Sequence, residues 1–291
     1  LMVLESISPS DVKGKETSSR YELLKTMALD KNCIDTTTFN VLQPAIDYYI
    51  EHGSPDEQLR TYYYKGRIYQ NQGNNDLAMQ SFMRGKEFCQ EASDTLTMAN
   101  LMVAQATIQY RIYKIDDFIK NNLEAANLYS SIGRTDYELL SLANALDGGI
   151  LNNDKSLSDS VWNIAKQRVS ENPDLGSIIV PYELSYALKF GNKEDVIGIL
   201  NHRESVDSIN DMVKLNVAEA YYKIGDVRNA KRVLDAIPIK SKFRSSLKYL
   251  ALKPEILELN GDLAGALHAY KDFHTTIDSI HMGIFSHDLL F

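Results

Sequence analysis

The stretch that decides the fold runs from Tyr62 to Tyr69 and reads Tyr-Tyr-Tyr-Lys-Gly-Arg-Ile-Tyr. A Gly73-Asn74 pair follows, then Ala78, and then Phe82 one turn later. This order predicts two antiparallel helices in close contact, because small residues let two helices approach and large residues fill the gap between them.

The same order of residues recurs later in the chain. A weaker copy centres on Gly191, and the turn glycines 191, 225 and 261 are 34 and 36 residues apart. The pattern predicts that Gly73, Gly225 and Gly261 end their helices in the left-handed conformation, where a Cβ would be strained. The positions that define the two clearer copies are Ala218, Tyr221, Gly225, Ala230 and Leu234, and then Gly261, Ala266 and Tyr270.

These segments resemble tetratricopeptide repeats, which are helix–turn–helix units of about 34 residues. The resemblance implies a small residue where the two helices cross, at Gly66 and Ala218, and a tyrosine one turn later, at Tyr69 and Tyr221. It implies an all-α fold, an α-α superhelix of about seven antiparallel helix pairs in which each repeat packs on its neighbours.

The repeats are predicted to join residues 1–291 into a single solenoid. One helix is expected near Ser18–Asp30 and another near Thr36–His52, with a kink at Pro44. The clearest repeats are predicted at about 59–92, 178–204, 211–238 and 247–280, and degenerate repeats at about 16–52, 97–131 and 135–171.

The opening of the chain is similar to tetratricopeptide proteins of the Bacteroidetes cell envelope. The segments that carry this likeness are Leu4–Pro9, Tyr21–Lys25, Ala28–Asn32 and Ala45–Tyr49. The likeness implies a location in the cell envelope or on its periplasmic side, with a cytoplasmic location as the alternative. Because the chain does not begin with Met and both its ends are apolar, we expect it to be a piece of a longer protein.

The composition argues against several functions. The 31 Lys and Arg residues against 39 Asp and Glu give a net charge of −8, which disfavours nucleic acid as a partner because phosphate contacts need a basic face. No stretch of about 18 apolar residues is present, so no membrane segment is expected within this chain.

The chain also lacks the common catalytic and cofactor motifs, which predicts that the protein is not an enzyme and needs no cofactor. Cys33 and Cys89 are interpreted as structural or incidental cysteines. Four of the six histidines fall in the last 24 residues, where capping or surface histidines are expected and a metal site through His274 and His281 is the alternative.

The superhelix predicts a concave groove lined by the first helix of each pair. Arg and Tyr at these positions suit a carboxylate or an extended acidic peptide. The alternative is that some tyrosines of the Tyr62–Tyr69 stretch belong to the core, because they span several faces of one helix. The groove positions predicted to contact a partner are Arg60, Tyr63, Arg67, Gln70, Asn71, Arg111 and Tyr222.

The leading hypothesis is a non-enzymatic scaffold that binds a protein or peptide in this groove, as a sensor or assembly domain of an envelope protein. A regulatory domain that controls a C-terminal transcriptional or signalling effector is the alternative. A small-molecule receptor is a third. The basic run from Lys240 to Lys253 predicts a solvated face, or else a contact with phosphate or acidic lipid.

Overall fold

The computed structural model describes residues 2–7, 11–201 and 210–288. These residues form helices and no strand, which confirms the predicted all-α class. Consecutive helices pack as adjacent pairs, an arrangement consistent with an α-α superhelix. The chain divides into two compact units, Leu1–Gly148 and Gly149–Phe291. The end of the predicted repeat 178–204 and His202 lie outside the described residues.

The first unit contains a regular series of helix pairs, in which we call the first helix of each pair the A helix and the second the B helix. The A helices α2, α4, α6 and α8 begin at residues 15, 55, 95 and 135, so the pairs recur every 40 residues. This period exceeds the 34 of the resemblance because each of these A helices is 17 residues long. The helices are α1 (Met2–Glu5), α2 (Lys15–Lys31), α3 (Gln43–His52), α4 (Pro55–Asn71), α5 (Asn75–Lys86), α6 (Thr95–Arg111), α7 (Ile115–Ser131) and α8 (Thr135–Leu151), whose last residues belong to the second unit.

The second unit continues the alternation of A and B helices. Short 3-10 helices precede α10 at Pro173–Ile178 and α14 at Lys242–Ser245. In this unit α10, α12 and α14 are the A helices. The helices are α9 (Lys155–Glu171), α10 (Val180–Phe190), α11 (Lys193–Asn201), α12 (Asp211–Ile224), α13 (Val227–Asp235), α14 (Leu247–Leu259) and α15 (Leu263–Asp288).

Most A helices end in a left-handed residue, and glycine is not always the residue that occupies this position. The backbone N–H of the next residue then donates to the carbonyl five residues earlier, as Asn74 does to Tyr69 at 2.9 Å. Gly191 is an exception, since its φ of −86° and ψ of −176° are extended. The left-handed residues and their φ angles are Cys33 (56°), Gly73 (77°), Tyr113 (57°), Asn153 (56°), Gly225 (88°) and Gly261 (83°).

Helix α3 corrects one sequence prediction. It begins at Gln43 and places Pro44 in its first turn, whereas the sequence predicted a longer helix from Thr36 with a kink at this proline. Proline is tolerated in a first turn because the backbone N–H that it lacks would have no partner there. Pro44 therefore helps to begin the helix.

Close helix contacts form where the sequence places small residues. A Cβ added to Gly66 of α4 would lie 2.3 Å from Cε1 of Phe82 in α5, so only glycine fits against that ring. Ala218 and Ala230 are fully buried in the second unit. A Cβ on Gly148, in α8, would lie 2.4 Å from Cγ1 of Ile119 in α7, so this A helix packs closely on the preceding B helix.

Candidate functional site

Tyr63 is a core residue. Its side chain is only 6% exposed and packs against Tyr64 and Phe82. Burial raises the pKa of Tyr63 and of Tyr64 far above the ordinary tyrosine value. The position of Tyr63 on α4 faces the interior, so this side chain is used for packing within the first unit.

Arg60 joins α4 to the beginning of α6. Its Nε donates to Oδ2 of Asp94 at 2.5 Å, and Asp94 caps α6 by accepting from the backbone N–H of Thr97. Asp56 accepts from the backbone N–H and the hydroxyl of Ser93, each at 2.7 Å. This side of α4 thus binds the next repeat with charged hydrogen bonds.

The carboxylates of this junction have low pKa values. Burial alone would raise the pKa of Asp94, but the hydrogen bonds from Thr97 and Arg60 outweigh it and hold the pKa below its ordinary value. Asp56 behaves in the same way, since hydrogen bonds from Ser93 and from the Asp94 backbone overcome the effect of burial and lower its pKa.

A ladder of polar contacts connects successive A helices in the first unit. Its members lie three residues before the left-handed residue of one A helix and contact the next A helix. Asp30 pairs with Nη2 of Arg67 at 3.5 Å, Gln70 donates through Nε2 to the carbonyl of Ala104 at 3.1 Å, and Tyr110 hydrogen-bonds to Asp147. Burial and the charge of Asp147 raise the pKa of Tyr110 to about 12.

The ladder has the same geometry in the second unit. Tyr222 lies three residues before Gly225 and hydrogen-bonds to Glu255 of α14, the next A helix. This hydrogen bond, assisted by burial, raises the pKa of Tyr222 to about 12. The ladder therefore uses Arg67, Gln70 and Tyr222, three of the predicted groove residues, for contacts within the chain.

The remaining predicted groove residues have different surroundings. Asn71 donates through Nδ2 to the carbonyl of Thr36 at 3.1 Å, which attaches α4 to the segment after α2. Arg111 is exposed at the end of α6. The arginine and tyrosine side chains predicted to receive an acidic peptide are thus mostly held by contacts within the protein.

Part of the basic run from Lys240 to Lys253 is also held by internal contacts. Lys248 donates from Nζ to Oε2 of Glu219 at 2.6 Å, and Lys223 pairs with the other carboxylate oxygen at 3.2 Å. Burial would raise the pKa of Glu219, but the two lysines outweigh it and lower this pKa. Arg244 donates from Nη2 to the carbonyl of Ile237 at 2.6 Å.

One surface of the second unit is both apolar and acidic, and we call it the end surface. It consists of Glu255, Glu258 and Leu259 on α14, and of Leu263 and Leu267 on α15. The three leucines are 61%, 68% and 59% exposed, and both glutamates are exposed. The phenol of Tyr270 on α15 donates to Oε2 of Glu258 at 3.1 Å, which connects the two helices across this surface.

Leu263 and Leu267 were not among the functional residues predicted from the sequence. The available signal was their spacing of four residues directly after the Gly261-Asp262 turn. This spacing places both leucines on one face of the helix.

The described side chains offer no metal site of three or more His, Cys, Asp or Glu residues. Cys33 and Cys89 are free thiols, and burial raises the pKa of Cys89 to about 11. The side chains of His281 and His287 lie outside the described part of the chain. None of the helices, as far as they are described, combines the length and apolar character needed to cross a membrane.

No protein-family model matches this sequence, and no curated protein matches it. The candidate site is therefore defined by the end surface and by the ladder that leads to it.

Proposed function

We propose that this chain is a tetratricopeptide-like scaffold that binds another protein and performs no catalysis of its own. The observation that carries the proposal is the end surface, where Leu259, Leu263 and Leu267 are all more than half exposed. Burial of a leucine side chain stabilises a complex by about 1.5–3 kcal/mol relative to leaving it in water. A contiguous apolar patch bordered by charged residues is typical of a protein-binding surface.

The ladder supports the same function because it holds the helices of the second unit in register. Tyr222 connects α12 to Glu255 of α14, and Tyr270 connects Glu258 of α14 to α15. A partner would therefore meet a surface that is already ordered, which lowers the entropic cost of binding. The proposal moves the binding surface from Arg60 and Arg67, which are held in ion pairs, to the end surface.

The test is affinity purification with cross-linking mass spectrometry from the source cells. The wild-type chain is compared with a Leu263→Ser/Leu267→Ser variant, and circular dichroism verifies that both are folded. A Leu24→Ser/Met83→Ser variant is the matched control, because these first-unit side chains are 43% and 59% exposed.

We expect a partner to be recovered with the wild type and with the control variant, and to be lost with the end-surface variant. A partner that all three proteins retain would contradict the proposed binding surface. The absence of any partner from the wild-type sample would contradict the scaffold function itself.

A further inference from the structure

We infer that the element that binds the end surface is an amphipathic α-helix with basic residues, seated where the chain's own repeats place the next A helix. This inference rests on the proposed function and specifies the chemical class of the partner. It combines two contacts that the chain makes elsewhere, one apolar and one polar.

The apolar contact is present in the first unit. Ile119 lies five residues after Lys114, the N-cap of B helix α7, and is only 7% exposed because Gly148 of the next A helix packs against it. Leu267 holds the same position in α15, five residues after Asp262, whose carboxylate accepts the backbone N–H of Gly265. Leu267 is nevertheless 59% exposed, and none of the described helices covers it as α8 covers Ile119.

The polar contact is the ladder, the series of hydrogen bonds and ion pairs between successive A helices. Glu258 lies three residues before Gly261, the position from which Gln70, Tyr110 and Tyr222 each contact the next A helix. Asp30, a carboxylate at the same position in α2, pairs with Arg67 of the next A helix. The chain itself therefore shows how a carboxylate at this position is satisfied, namely by an arginine on the helix that packs beside it.

The charges of the end surface indicate which kind of partner helix would bind there. Glu258 accepts from Tyr270 and Glu255 from Tyr222, and neither carboxylate lies within ion-pair distance of a lysine or arginine among the described residues. Ionised carboxylates only accept hydrogen bonds, so an arriving helix must supply donors, and cationic donors make the strongest such bonds.

The same charges disfavour a second copy of the chain as the occupant. A symmetric dimer through Leu263 and Leu267 would bring Glu255 and Glu258 of both copies to one interface. Like charges that face each other across an interface oppose association. A basic helix from another protein can bury apolar side chains against the leucines and pair its cationic side chains with the glutamates.

The probe for the test is a designed 18-residue helical peptide. It carries leucines four residues apart, an alanine between them where the helices cross, and two arginines beside this stripe. A counterpart with glutamate in place of both arginines is the peptide control. Binding to the full chain is measured by fluorescence anisotropy at low and at high salt.

We expect the arginine peptide to bind the wild-type chain and the glutamate peptide to bind at least about tenfold more weakly. A Glu255→Gln/Glu258→Gln variant keeps an acceptor for both tyrosines and should lose about tenfold in affinity for the arginine peptide. A Glu51→Gln/Glu91→Gln variant makes the same change in net charge at exposed first-unit positions, and it should bind within about twofold of the wild type.

Three results would overturn the inference. These are equal binding of the two peptides, an equal loss with the Glu51/Glu91 control, and self-association in sedimentation that depends on Leu263. If a natural partner depends on the leucines but the arginine peptide does not bind, this inference fails while the proposed scaffold function stands. If no natural partner depends on the leucines, the proposed function fails regardless of the peptide result.

Discussion

The ladder ends differently in the two units of the molecule. In the first unit, Asp30 meets an arginine and Gln70 meets a backbone carbonyl, so each polar group is used to hold neighbouring A helices together. In the second unit the ladder leads through Tyr222 to Glu255 and finishes at Glu258, where the carboxylates face outwards beside exposed leucines. The same helix position thus contacts a neighbouring A helix in the first unit and carries the exposed carboxylate of Glu258 in the second.

The largest expected effect tests whether both units depend on the same close helix crossing. Gly66→Leu should destabilise the protein by about 1–3 kcal/mol because a side chain here collides with Phe82, and Ala230→Leu should have a similar effect in the second unit. Urea unfolding followed by circular dichroism measures both. Ala264→Leu is the control, since this helical residue is exposed. Unchanged unfolding midpoints in both core variants would refute the assigned register.

An intermediate effect concerns acid stability. The folded pKa values of Asp56 and Asp94 lie below the ordinary 3.8, so the unfolded chain binds more protons as the pH approaches that value. The stability that these carboxylates contribute is therefore complete above a pH of about 5 and is lost as the pH falls through their folded pKa values.

Substitution separates this contribution from general acid unfolding. Asp94→Asn should cost about 1–2 kcal/mol at pH 7, because it removes the charge that Arg60 and Thr97 bind. It should also flatten the pH dependence of the unfolding free energy between about pH 5 and pH 2. An Asp94→Asn profile parallel to that of the wild type would show that this junction does not carry the acid sensitivity.

The smallest expected effect compares a ladder contact of the first unit with one of the second. Tyr110→Phe and Tyr222→Phe each remove one phenol hydrogen bond to a carboxylate, and each should cost about 0.5–1.5 kcal/mol. Ultraviolet titration should show Tyr110 and Tyr222 among the four tyrosines that ionise near 12, the others being Tyr49 and Tyr186, and Glu255→Gln should return only Tyr222 towards about 10. If Tyr222 keeps its titration in that variant, the contact with Glu255 is not the cause of its high pKa.

The fold was more predictable from the sequence than the candidate site. The helices and the left-handed turns at Gly73, Gly225 and Gly261 follow from short-range periodicity and from the conformational freedom of glycine. Cys33, Tyr113 and Asn153 adopt the same turn without being glycine, so the 40-residue period of the first unit was not visible as a series of glycines. These three residues are exposed, and each turn is closed by a local hydrogen bond from the next backbone N–H to the carbonyl five residues earlier.

The sequence by itself determined the helices, their antiparallel pairing and the buried contact of Gly66 with Phe82, because these depend on residues within two consecutive helices. Only the tertiary structure decided what the polar side chains do. Arg60 and Arg67 find their partners 34 and 37 residues away, and the exposure of Leu263 and Leu267 depends on which helices pack beside α15. Such contacts join separate repeats, so local periodicity contains no information about whether an arginine is paired or a leucine is covered.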